Sequence, residues 1–330
     1  MLNSNIALNE KIFNTGKKLI SSRDGFGEGL VLAGEKDEQV VALCADVTES
    51  VRMHLFKDRF PERFIELGIA EQNMAAVASG LAAVGKIPVI GTYAIFSPGR
   101  NWEQIRTTIC YNQQKVILVG SHTGLNVGAD GGSHQALEDI ALTRVLPHLA
   151  VVMPSDALEA RKAILSAINY PDSVYIRLTR AKSPLITTED TPWKIGKSLL
   201  LWLPKEEKNV ITIFACGYLV FKALEVAKEL EEDGINIAVV NNSAIKPLDE
   251  KLVLEWARKS KAIITLEEHQ KAGGMGSAIA EFLGEHYPLP VKMMGVNDTF
   301  GESGQEEELI NKYGLGKKDI LEAVKNILGK

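Results

Sequence analysis

From about residue 40 onward, apolar runs of strand length alternate with stretches of helical period, which restricts the chain to parallel sheets covered on both faces by helices. The expected strands are Val40–Ala45, Phe64–Leu67, Pro88–Tyr93, Val116–Gly120, Ala150–Met153 and Val174–Leu178, with helical patterns such as Met74–Val84 and Trp102–Cys110 between them. After Arg180 the pattern lapses: Ala181 through Trp193 holds two prolines and three threonines and no apolar period, and reads as an interdomain linker. A second, smaller series follows. Its strands are Val210–Phe214, Ile237–Asn241, Ala262–Leu266 and Pro290–Met294, and its helices Leu219–Glu232, Leu248–Lys259, Gly276–His286 and Asp319–Leu328. The chain is therefore expected to be α/β throughout, with two doubly wound domains at 1–190 and 191–330 and one or two helices in residues 1–35 leading into the first sheet.

A length of 330 residues suffices for two well-buried cores. Hydrophobic residues at 45%, charged residues at 24% and a net charge of -5 describe a soluble globular chain with no reason to bind nucleic acid or an anionic membrane. Cys44, Cys110 and Cys216 are odd in number and far apart, which reads as reduced thiols rather than a disulfide framework. The start lacks the basic and apolar regions of a signal peptide, and no apolar run reaches membrane-spanning length, so the cytoplasm is the expected compartment.

Ligands of an open parallel sheet bind outside the carboxyl ends of its strands. Five consecutive strand ends carry polar or aromatic groups here: Asp46 and Ser50, Glu71, Tyr93 with Phe96, the loop holding His122, Asp130 and His134, and Arg180. That succession describes one site. Glu71 stands where a short strand runs through Gly68 into an alanine-rich helix, with Ile69 as a bulky apolar neighbour. An acid in a first helical turn also complements the dipole, so by itself it decides nothing. Tyr93 and Phe96 precede a Pro98–Gly99 turn; such aromatics are ordinarily core, yet a chain leaving its sheet there would turn a ring to the crevice, where a flat heteroaromatic stacks.

Between Ser121 and Gln135, four glycines at 124, 128, 131 and 132 allow close approach of backbone to a ligand. Two histidines and an aspartate there invite a metal triad, but no fixed helical spacing holds them, and hydrogen bonding to a polyhydroxylated substrate uses the same groups; the expected number of metal ligands is none. Arg180 suits a bidentate phosphate grip, with a surface ion pair as the plain alternative. In the second domain, Glu267 to Gly276 lacks Gly-x-Gly-x-x-Gly spacing and reads as a tight strand–helix connection, with a regulatory site as the alternative.

Taken together, Arg63–Met74, Thr92–Phe96, Ser121–Gln135, Ile176–Arg180 and Ile245–Asp249 resemble the thiamine diphosphate enzymes of the transketolase family over nearly the whole chain. The resemblance implies a pyrimidine-binding domain followed by a transketolase C-terminal domain. It implies that Glu71 hydrogen-bonds the aminopyrimidine ring, promoting the tautomer that activates the thiazolium carbon. Ile69 would wedge between the two cofactor rings, Tyr93 and Phe96 would flank the pyrimidine, and Asp46 would sit behind the cofactor pocket. His134 and His122 would act near the reacting carbons, Asp130 would bind a sugar hydroxyl, and Arg180, Ser50 and His122 would grip the sugar phosphate.

One departure matters. The family anchors the diphosphate and Mg²⁺ on a Gly-Asp-Gly…Asn segment in a separate domain, whereas Asp24, Asp130 and Asp233 each precede a glycine and none follows one. The chain thus resembles the C-terminal subunit of a split transketolase, inactive alone. It is expected to need an N-terminal-half partner carrying the diphosphate domain and the Mg²⁺ ligands, to self-associate through both of its own domains in an α2β2 assembly, and to act on sugar phosphates. Two relatives of that resemblance compete: 1-deoxyxylulose-5-phosphate synthase, from which His122-Thr123-Gly124 departs, and the β subunit of a 2-oxo acid dehydrogenase, against which the His122–His134 loop argues.

Overall fold

The computed structural model describes residues 1–329. Its strands run β1 (Leu19–Ser21), β2 (Val40–Cys44), β3 (Phe64–Glu66), β4 (Ile87–Tyr93), β5 (Ile117–Ser121), β6 (Leu149–Val152), β7 (Ser173–Arg177) and β8 (Lys182–Pro184), then β9 (Leu199–Trp202), β10 (Val210–Ala215), β11 (Ile237–Asn241), β12 (Ala244–Lys246), β13 (Ser260–Gln270) and β14 (Val291–Val296). A seven-stranded sheet takes the order β12-β6-β7-β5-β4-β2-β3, parallel except for the antiparallel β12 edge. A five-stranded sheet takes the order β14-β13-β10-β11-β9, with β9 antiparallel. The doubly wound α/β architecture expected from the alternation is what the chain adopts.

The two-residue period of a strand explains why both faces need cover. Val40, Ala42 and Cys44 pack with Phe26, Leu30, Ala160 and Ile164 from helices Ser22–Lys36 and Ala157–Asn169. Val41, Leu43 and Ala45 face the opposite way, onto Met74, Ala78, Ile105 and Ile109. That second cluster continues through Met153 and Ile245 to Phe214, Val253 and Trp256, so one core is shared between the domains. The remaining face of the second sheet packs on helices Leu219–Glu232 and Lys317–Leu328.

Four details differ from the sequence expectation. Of residues 1–35, only Ser22 onward is helical, and β1 before it pairs with β8. The stretch read as a linker is strapped down: Ile186 and Thr187 donate backbone N–H groups to Asp156 at 2.8 and 2.7 Å. Ile105–Tyr111 is π-helical rather than a continuation of the α-helix at Trp102–Gln104. β13 extends past Leu266 to Gln270, because Glu267, Glu268 and His269 are buried polar residues that interrupt its apolar pattern while continuing the strand. Among the described residues no helix is long and apolar enough to cross a membrane.

Candidate active site

The carboxyl ends of β2, β4, β5 and β7 bring most of the expected groups together. Tyr93 stacks on His122 with ring centroids 3.8 Å apart and on Phe96 at 5.9 Å. His134 meets both rings edge-on, at 6.1 Å from Tyr93 and 5.5 Å from Phe96. Glu71, at the start of helix Glu71–Ala83, is only 4% exposed and accepts from Arg100 Nη1 at 3.0 Å. Its surroundings are thus less apolar than Ile69 alone suggested. Ile69 projects on the surface, 73% exposed. The guanidinium of Arg100 lies over the Phe96 ring, 4.0 Å from its centroid, which joins Glu71 to the aromatic group. Asn101 fixes the turn by donating to the Glu71 carbonyl at 3.2 Å and to Ser97 Oγ at 3.1 Å.

His122 is buried and has a left-handed backbone, with φ of 56°. Arg23 Nη1 stands 3.1 Å from its Nε2 and donates to the Ser50 carbonyl at 2.8 Å. A guanidinium has only donors, so Nε2 must be the accepting nitrogen; Nδ1 then carries the proton, facing Ser121 Oγ at 3.0 Å. The ring is consequently neutral. Burial first, then the charges of Arg23, Arg180 and Arg52, push its pKa down to about 3. Burial and the charge of Arg52 likewise push the Arg23 guanidinium below its usual value. Arg23, Arg180 and Arg52 thus gather beside a neutral imidazole, with Asp24, which accepts from Arg52 Nε at 2.5 Å, offsetting part of their charge. An anion would relieve that crowding.

Asp46 is exposed, also left-handed at φ of 57°, and its N–H donates to Glu66 Oε1 at 2.7 Å. The same oxygen accepts from the Leu67 and Gly68 N–H groups at 3.1 and 3.2 Å, so Glu66 ties the end of β2 to the turn that leads into Glu71. Asp130 is exposed, at the end of the turn Leu125–Asp130. Arg180 reaches that turn by donating from Nη1 to the Val127 carbonyl. Both nitrogens of His122 are taken by protein partners, which removes it from a metal triad with Asp130 and His134. Among the described residues no cluster of three or more His, Cys, Asp or Glu is placed to hold a metal ion.

Sequence reasoning missed Arg23, Arg52, Arg100 and Glu66. Arg23 opens a helix behind a three-residue antiparallel strand and Arg100 lies beyond a proline–glycine turn, so neither marks an end of a parallel strand. The second domain's glycine run is a tight connection, as its spacing suggested. Glu267 accepts from the Met275 and Gly276 N–H groups at 2.7 and 2.8 Å, filling the start of helix Met275–His286 with the protein's own carboxylate.

Aromatic, histidine and acidic side chains gathered at the carboxyl ends of a parallel sheet define a candidate ligand site of the α/β class, and comparison with known proteins gives the family. Residues 18–184 match the family model for the transketolase pyrimidine binding domain, and residues 202–320 match that for the transketolase C-terminal domain. A 6-deoxy-6-sulfo-D-fructose transketolase subunit of a Clostridium species is 37% identical over 92% of this chain and 94% of its own length. Human transketolase is 33% identical over 96% of this chain but only 50% of its own length. A solved split-gene transketolase, described as an inactive β4 tetramer, shares 43% identity and a TM-score of 0.86 over 94% of this chain and 99% of that one. The chain belongs to the transketolase family, as a transketolase-type transferase subunit.

Proposed function

We propose that this chain is the C-terminal subunit of a split transketolase that moves a two-carbon ketol unit from a ketose phosphate to an aldose phosphate on thiamine diphosphate. The observation that carries the cofactor reading is Arg100. Its planar cation lies over Phe96 and donates to Glu71, the ring and the acid that an aminopyrimidine protonated at its ring nitrogen would engage. The residues therefore suit the pyrimidine end of the cofactor once that guanidinium moves aside. Bound thiamine diphosphate supplies the carbon nucleophile; the protein binds and orients it.

Within that reading, Glu71 holds a proton at the pyrimidine ring nitrogen, Tyr93 and Phe96 flank the ring, Ile69 supports the bend between the rings, and Asp46 closes the pocket from behind. His134, edge-on to the aromatic pair, and His122 lie toward the reacting carbons. Asp130 accepts from a sugar hydroxyl. Arg23, Arg180 and Ser50 take the sugar's anionic end, which the gathered guanidinium groups favour, and neutral His122 contributes through Arg23, which faces its Nε2.

The diphosphate and Mg²⁺ belong to a partner. No Gly-Asp-Gly occurs in the chain, and the described residues offer no metal cluster. The chain spans half of human transketolase, and its split-gene neighbour is an inactive assembly of β chains. An N-terminal-half subunit is the natural complement, in a heterotetramer built on self-association of this chain.

Replacement of Glu71 by Gln tests the assignment. Ketol transfer by the assembled complex should fall by about 100-fold or more, with assembly intact. Unchanged activity would remove Glu71 from the chemistry and turn the chain into a supporting subunit.

A further inference from the structure

Among the contacts between the two domains, one buried carboxylate of the second meets the glycine-rich loop of the first. Glu268, near the end of β13, is 1% exposed. Its Oε1 accepts from the Asn126 backbone N–H at 3.0 Å and from Asn126 Nδ2 at 3.1 Å, and its Oε2 accepts from the same Nδ2 at 2.9 Å. Asn126 is itself fully buried, and its Oδ1 accepts from the N–H groups of Arg180 and Ala181, each at 3.2 Å. Arg180 closes the circuit by donating to Val127. A continuous chain of bonds therefore joins the second domain's sheet to Arg180 and to the turn Leu125–Asp130.

Packing follows the same line. Gly124 has a φ of +74°, and a Cβ there would stand 2.7 Å from Glu268 Cβ. A Cβ at Gly132 would stand 2.5 Å from the Gly301 carbonyl, and Gln135 Nε2 donates to the Glu302 carbonyl at 3.0 Å. The loop from Gly124 to Gln135 is thus pressed against the second domain along its length. Glycines leave such a loop many backbone conformations, and packing against the second domain restricts them.

Burial pushes the Glu268 carboxyl up from its usual range, while the Asn126 N–H groups and the Arg177 charge pull it down. A carboxylate buried at that cost and bonded to one asparagine is poorly explained as general adhesion between domains.

We propose that Glu268 is a positioning residue for the sugar site: by holding Asn126 it sets the turn Leu125–Asp130 and Arg180 where the substrate's anionic end and hydroxyls are bound. The second domain then forms part of the active site. This inference rests on the ketol-transfer reading of that site.

The test uses the complex with its N-terminal-half partner and, in parallel, hydrogen exchange of this chain. Glu268→Ala should raise KM for the ketose phosphate about tenfold while the Kd for thiamine diphosphate stays within about twofold. Glu268→Gln should recover most of the loss, because its amide oxygen still accepts from Asn126. Asn126→Ala breaks the link from the other side, and the double variant should show no further rise in KM beyond either single one. Amides of residues 124–131 should exchange about tenfold faster in Glu268→Ala, with those of β2 and β4 unchanged. Unaltered exchange in the loop, or additive effects of the two substitutions, overturns the inference. A wild-type complex without activity on any ketose phosphate overturns the functional reading instead, and the exchange contrast then decides the positioning alone.

Discussion

Arg100 donates to Glu71 at 3.0 Å while its guanidinium covers Phe96 at 4.0 Å, so a single side chain holds both the acid and the ring of the proposed pyrimidine pocket. Glu71 is nearly buried, whereas the Arg100 side chain is 49% exposed. The pair keeps a buried carboxylate satisfied, and under the proposed function it must open before a cofactor ring can take the same contacts.

Competition of this kind has a measurable consequence. A half-exposed ion pair is worth about 0.2–1 kcal/mol, so Arg100→Ala should tighten thiamine diphosphate binding by the assembled complex by about 1.4-fold to fivefold. Titration of the cofactor into both complexes reads the difference. Weaker binding would instead make Arg100 a permanent part of the bound site.

His122 predicts a pH dependence of stability. Its folded pKa of about 3 lies below the ordinary 6.5, so the folded state prefers the neutral ring. The stability this contributes is complete above pH 6.5 and is lost as pH falls toward 3. Histidine NMR should show His122 still neutral at about pH 5, where an ordinary histidine is charged.

Glu267 acts in the opposite sense. Burial raises its pKa from 4.5 to about 7, against the Met275 and Gly276 N–H groups that hold the charged form. Its contribution is complete below pH 4.5 and is lost as pH rises through about 7. Urea denaturation of Glu267→Gln should show a shallower fall of stability between about pH 5 and 8 than the parent chain.

Gly124 combines a φ of +74° with a built Cβ only 2.7 Å from Glu268. Gly124→Ala should destabilise the chain by about 1–3 kcal/mol, read by urea denaturation. An unchanged midpoint would mean that the loop is not held against the second domain.

The aromatic and histidine part of the site was legible because Tyr93, His122 and Glu71 follow the ends of β4, β5 and β3, where strand order alone predicts a crevice. Arg23 and Arg100 were not legible. Their roles come from tertiary contacts with His122, Ser50 and Glu71, at sequence separations no period connects. The parallel strands were readable from apolar runs, but β1, β8, β9 and β12 are short strands in antiparallel pairings. Glu267 and Glu268 concealed the end of β13 for a related reason: a buried acid satisfied by distant N–H groups looks, in sequence, like a loop residue.

Reconstitution tests the central claim most directly. This chain, alone and mixed with an N-terminal-half subunit carrying Gly-Asp-Gly…Asn, is supplied with thiamine diphosphate, Mg²⁺, xylulose 5-phosphate and ribose 5-phosphate, and glyceraldehyde 3-phosphate and sedoheptulose 7-phosphate are measured. No product is expected from the chain alone, and both products from the pair. Ketol transfer by the chain alone, or a pair that consumes only pyruvate, would contradict it.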